Sequence, residues 1–84
     1  MTLTEIMTSN FHGSDVAKMQ LIEEFDGHGG QYVVCHDTDV NWQQNGQRFR
    51  DLRTARAYAS LGGAADMHIV GPDMTCYEPG FEEW

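Results

Sequence analysis

The run Gln31-Tyr32-Val33-Val34-Cys35-His36 constrains this chain more than any other segment. Its β-branched and aromatic residues are bounded by Gly27-His28-Gly29-Gly30 on one side and Asp37-Thr38-Asp39 on the other. That pattern predicts a strand between a flexible loop and a turn. A single strand is not stable alone, so the rest of the chain must supply its partners. Val40–Gln44 reads as a second strand, and Asn45-Gly46 as a two-residue type I′ turn, which needs positive φ at both positions. Gln47–Arg50 then returns as a third strand, with Phe49 inward and Arg48 and Arg50 outward. Met67–Val70 is a fourth, closed by Gly71-Pro72.

Helical patterns surround these strands. Thr2 and Glu5 stand at capping-box spacing before Leu3, Ile6 and Met7, which predicts a short helix ending near Ser9-Asn10. Ser14-Asp15 caps a second pattern in which Val16, Met19, Ile22 and Phe25 recur every three residues, with a stop at Asp26-Gly27. A rival reading makes this segment a strand, with Ala17, Met19, Leu21, Glu23 and Phe25 on one side. Asp51 caps a third helix whose buried stripe is Leu52, Ala55, Tyr58 and Ala59, with Arg53 and Arg56 toward solvent and Gly62-Gly63 as its end. The order of elements indicates an α+β fold: a small antiparallel β-sheet with a helix packed on one face and a helical N-terminal region. The 84 residues suit one domain, divided into a helical part over 1–30, a hairpin–helix–strand core over 31–70 and an acidic aromatic tail over 71–84. That tail, with Cys76, Tyr77, Phe81 and Trp84, reads as an edge strand or a docked segment.

Charge decides which partners are admissible. Thirteen acids against five bases give a formal charge of −8. Four of the bases, Arg48, Arg50, Arg53 and Arg56, fall within nine positions, so one basic patch is expected on a broadly acidic molecule. Such a surface repels polyphosphate and attracts basic grooves, which disfavours direct nucleic-acid or anionic-membrane binding over the whole surface. No apolar run approaches the ~20 residues needed to span a bilayer. Met1 to Asn10 has neither the basic start nor the apolar centre of a secretory signal, so a cytoplasmic protein with two free thiols is expected.

Catalytic and metal-binding motifs are weak. Cys35, His36, Asp37 and Asp39 cluster, with His28, His68 and Cys76 elsewhere, yet the spacing matches no zinc ligand pattern. An EF-hand reading of Asp37-Thr38-Asp39 meets Trp42 and Arg48 where the loop needs Gly and Glu. Ser9, Ser14 and Ser60 lie in no nucleophile elbow, and Cys35 with His68 or His12 as base has nothing in sequence to join them. The Gly27–Gly30 loop precedes a strand rather than opening a helix, so it is not a phosphate loop. The expectation is therefore no enzyme, no cofactor and no metal. A metal-dependent fold through Cys35, His68 and Cys76 ranks third among the functional readings.

Two readings rank above it. In the first, Glu23, Glu24, Asp26, Asp37 and Asp39 face a protein partner and stand in for nucleic-acid phosphates, with tail aromatics as apolar anchors. In the alternative, Trp42, Arg48, Arg50, Arg53 and Arg56 form a nucleic-acid patch, since aromatics among arginines are what single-strand binding uses.

In size, acidity and lack of catalytic motif, the chain resembles the small inhibitors of phages and mobile elements, of which the anti-CRISPR proteins are best known. Those families share no motif, so no residue role carries over. The resemblance implies a non-enzymatic inhibitor in a bacterial host cytoplasm that binds a CRISPR effector and blocks target DNA or nuclease recruitment, competition with DNA being the natural mechanism for an acidic member. The stretch VNWQQNGQRFRDLRTARAYASLGG is also similar to small bacterial modules in which a hairpin with an inward aromatic leads into an Ala-rich helix and a last strand. An exposed strand edge leaves room for a homodimer.

Overall fold

A computed structural model describes residues 2–8, 15–26, 29–36, 38–61 and 67–81. The elements in order are α1 (Leu3–Thr8), α2 (Asp15–Asp26), β1 (Tyr32–His36), α3 (Trp42–Asn45), β2 (Gln47–Phe49), α4 (Leu52–Leu61), β3 (Met67–Val70) and β4 (Cys76–Tyr77). The four strands form one antiparallel sheet in the order β2-β1-β3-β4. The fold is α+β, as the sequence predicts. Ser14, Gly27, His28, Asp37, the Gly62-Gly63 helix stop, and Glu82, Glu83 and Trp84 of the tail lie outside the described residues.

Register divides the sheet into two faces. Val34 stands opposite Gln47 and Ile69, and Tyr32 opposite Phe49, so these side chains share the face that carries α4. Phe49, Ile69 and Val34 meet Ala55, Ala57 and Tyr58 there, with the Phe49 and Tyr58 rings 4.9 Å apart. Helix α4 is buried at Thr54, Ala55, Ala57, Tyr58 and Ala59, wider than the expected stripe, because it is packed between the sheet and α2. Alanines on both sides allow that close approach. Helix α1 packs on α2 and adds Leu3 and Ile6 to the same core. The tail is an edge strand at Cys76–Tyr77, followed by a segment held on α4 by Gly80 N–H donating to the Arg56 carbonyl at 3.1 Å.

Several local expectations hold for the reasons given. Thr2 Oγ1 accepts from Glu5 N–H at 3.2 Å, and the Glu5 carboxylate accepts from the Thr2 hydroxyl rather than its amide. Asp51 Oδ1 accepts from Arg53 N–H at 3.0 Å at the start of α4. Segment 15–26 is helix, and the rival strand fails.

The α2 stripe is corrected. Ile22 is buried, but Val16 and Phe25 are exposed. A three-residue repeat lags the helical turn by about 60° per step, so the ends of a four-member row face opposite ways. Burial instead follows Ile22 and Asp26, four apart.

The larger correction is the hairpin. Val40–Gln44 is not a strand: Val40 is 90% exposed and Trp42–Asn45 is a single helical turn. The Asp39 carboxylate outcompetes an extended backbone by accepting from Asn41 N–H at 2.9 Å and from Asn45 Nδ2 at 3.2 Å. Gly46 is extended, at φ −71° and ψ 148°, so no type I′ turn forms. The glycine is needed for another reason. A Cβ there would drive into Val33 Cγ1 and lie 2.8 Å from the Trp42 carbonyl oxygen. The partner of β2 is β1 itself, reached across the segment that carries α3.

Candidate functional site

The five acids expected to face a partner divide. Glu24 is exposed. Glu23 is half-buried and accepts from the Tyr58 hydroxyl at 2.7 Å. Asp26 does not face a partner: it is 5% exposed and accepts from Arg50 N–H, Asp51 N–H and Arg50 Nε at 3.1, 3.1 and 2.8 Å. It joins the end of α2 to the β2–α4 junction, a role that the free amides of a helix start make available. Asp39 is half-buried and occupied with α3. Asp37 lies outside the described residues.

The arginines do not make one patch. Arg48 Nη2 donates to the Gln43 carbonyl at 3.0 Å on the sheet face away from α4. Arg50 pairs with Asp26. Arg53 and Arg56, expected in solvent, are half-buried instead. Arg53 Nη2 donates to Thr4 Oγ1 at 3.0 Å, and its guanidinium lies 5.4 Å from the Phe81 ring centroid. Arg56 Nε donates to the Glu78 carbonyl at 2.9 Å. Proximity in sequence thus becomes dispersion in space, because a strand, a junction and a helix each aim their arginine at a different neighbour.

Two residues of the alternative patch do come together. Trp42 and Arg48 line a groove of about 230 Å³ with Val33, Val70, Pro72 and Met74. Its floor follows from register: Arg48, Val33, Val70 and Cys76 stand in one row across the four strands, on the face opposite α4. Helix α3 supplies Trp42 and Gln43, and the turn after β3 supplies Gly71, Pro72 and Met74. Met74, 63% exposed, takes a left-handed φ of 66°. That turn is closed by Gly71 N–H to the Thr75 carbonyl at 2.8 Å and Met74 N–H to the Gly71 carbonyl at 3.0 Å. The Thr75 side chain first, and then the bond from Thr75 N–H to Asp73 Oδ1, hold the Asp73 carboxyl below its usual range.

A second opening lies between α1 and α2. Ile6, Leu21, Glu24 and Phe25 line a cleft of about 300 Å³, and Phe25 is 44% exposed. Sequence reasoning placed Phe25 in the core and missed this cleft. The signal available was the helical drift of its own repeat.

Cys35 and His68 do meet. They are register partners on β1 and β3, with Sγ 3.7 Å from Nε2. Cys35 is buried and His36 beside it exposed, as alternation requires. Cys76 is free, exposed and opposite Val70. With β3 between them, the β1 and β4 backbones are separated by two strand spacings, about 10 Å, which is beyond disulfide reach. Among the described residues no group of three or more His, Cys, Asp or Glu is arranged to hold a metal ion. No helix of the described residues is long and apolar enough to cross a membrane. No protein-family model, curated protein or solved structure matches the chain.

Proposed function

We propose that the chain is a non-enzymatic acidic binding protein that occupies a basic surface of a nucleic-acid-handling complex and keeps nucleic acid from it. The observation that carries this reading is the unequal use of charge. All five basic side chains donate hydrogen bonds inside the molecule: Lys18 to the Met7 carbonyl, and the four arginines as described. Glu5, Asp15, Glu24, Asp51, Asp73 and Glu78 are exposed and form no ion pair among the described residues. Lys18, Arg53 and Arg56 are half-buried against the fold and Arg48 and Arg50 are exposed, so the six exposed acids outnumber the exposed cations on the described surface. A surface of that kind steers basic partners and repels polyphosphate. The cleft of Ile6, Leu21 and Phe25, rimmed by Glu24, supplies an apolar anchor of the sort that carries most of an interface's energy. A CRISPR effector is the particular partner that the resemblance to small phage inhibitors suggests.

The test is a tagged pull-down from nuclease-treated bacterial lysate at low salt. The expected result is recovery of a nucleic-acid-binding complex that is released by added DNA or by salt. The doubly charge-reversed variant Glu5→Lys, Glu24→Lys is expected to lose that recovery while keeping its melting temperature. Recovery that DNA, salt and charge reversal all leave unchanged sinks the phosphate-mimic mechanism. A second reading, direct nucleic-acid binding, is favoured by one observation: Trp42 and Arg48 share a groove.

A further inference from the structure

We propose that the groove above Val33 and Val70 binds a single nucleotide, its base against Trp42 and Met74 and its phosphate on Arg48. The inference rests on the second reading and is independent of Glu5 and Glu24, since none of its residues lies on α1 or α2.

Charge is the first argument. The chain has thirteen acids, yet among the described residues no Asp or Glu lines this groove, and Arg48 is the one charged residue that does. An anion entering here meets the Arg48 cation, while the Asp73 carboxylate of the bordering turn accepts from Thr75 N–H. Arg48 is also positioned in advance: one of its nitrogens donates to the Gln43 carbonyl, which fixes the guanidinium and leaves its other N–H groups for a ligand.

Shape and chemistry are the second. The Val33–Val70 floor is apolar and flat because both residues sit in one register row. Trp42 and Met74 reach the groove from two separate elements, an indole and a thioether, both of which contact aromatic rings favourably. Met74 holds a left-handed backbone conformation that L side chains rarely adopt, in a turn where glycine would relieve it. The turn keeps a large thioether exposed at the groove rather than hidden. Gln31 and Gln43 add primary amides, each a donor and an acceptor for a base edge. The volume of about 230 Å³ is smaller than the ~300–1,000 Å³ of sites for drug-sized ligands, and suits one ring system rather than several.

One ligand chemistry here has two sources, a free nucleotide or one nucleotide of a single strand. The experiment titrates adenosine monophosphate, adenosine, inorganic phosphate and a short oligodeoxyadenylate into a Trp84→Phe background at low salt, reading Trp42 fluorescence. Circular dichroism checks that each variant is folded. Saturable quenching by the monophosphate is expected, with weaker binding of adenosine and of phosphate alone. Arg48→Gln is expected to weaken binding about tenfold or more. Met74→Ala, which keeps the turn and removes the thioether, is expected to weaken it several-fold. An oligonucleotide affinity that exceeds the monophosphate's by more than its number of bases identifies the strand as the source. Equal affinity per base identifies the free nucleotide. Absence of saturation at millimolar concentration for both ligands overturns the proposal. So does binding that Arg48→Gln and Met74→Ala leave unchanged. Neither failure affects capture of a basic partner through Glu5 and Glu24.

Discussion

Asp26 accepts three hydrogen bonds at the β2–α4 junction, and two of the donors are the backbone amides of Arg50 and Asp51. Its replacement strands those amides more than it breaks an ion pair, because the Arg50 side chain is 71% exposed. Asp26→Ala is therefore expected to cost about 2–3 kcal/mol in urea unfolding. Arg50→Ala is expected to cost less than about 1 kcal/mol, as an exposed pair does. Tyr58 gives the residue scale its pH dependence. Burial first, and then the hydrogen bond and charge of Glu23, raise its pKa above the usual phenol value of about 10. Above that pH the unfolded phenol ionises while the folded one stays protonated, so the unfolded state binds fewer protons. The stability linked to Tyr58 is complete below about pH 10 and falls as pH rises further. Comparing melting temperatures of wild type and Tyr58→Phe across that boundary checks it. The gap is expected to narrow at alkaline pH, and a constant gap removes the linkage.

Helix α3 shows how an element is decided by its neighbours. Val40 and Trp42 carry strand propensity, and Asn45-Gly46 carries the strongest short hairpin signal. Asp39 and Asn41 carry a competing signal, a carboxylate within reach of amides two residues on. The tertiary contact that tips the balance is Gly46 against Val33 and Val34 of β1. Substitution separates the two arrangements. A type I′ turn tolerates Asn at Gly46, because Asn accepts positive φ. In this fold Gly46→Asn is expected to cost about 2 kcal/mol or more, since any Cβ collides with β1. A melting temperature equal to wild type restores the hairpin. Helix α4, by contrast, was legible at its start and along its alanines. Its breadth of burial was not, because nothing in the local pattern says that α2 covers its second side.

For the whole molecule, charge is distributed by the fold rather than by the chain. Arginines crowded into residues 48–56 diverge onto Gln43, Asp26, Thr4 and Glu78. Arg50, Arg53 and Arg56 stitch distant segments together, Arg48 bonds five residues back, and exposed acids outnumber the exposed Arg48 and Arg50 on the described surface. If that surface is the binding surface, association with a basic partner is expected to be fast at low salt. Its rate should fall steeply as ionic strength rises, while dissociation changes little. Surface plasmon resonance on the complex recovered by pull-down reads both rates. Association and dissociation rates that salt leaves unchanged assign the interface to the apolar cleft at Phe25 instead.

The sequence by itself determined the class of fold, the strand at 32–36, the strand at 67–70, the capped starts of α1 and α4 and the excess of acid. Each of these rests on interactions within a few residues or on composition. Only the tertiary structure decided that β2 pairs with β1, that Cys35 meets His68, that Asp26 is buried and that Trp42 and Arg48 share a groove. Those features depend on strand register and helix packing. Antiparallel register joins residues up to thirty-seven positions apart, as Val33 and Val70 are. No local periodicity specifies which apolar run takes which neighbour, because that choice is made by the fit of whole faces to one another.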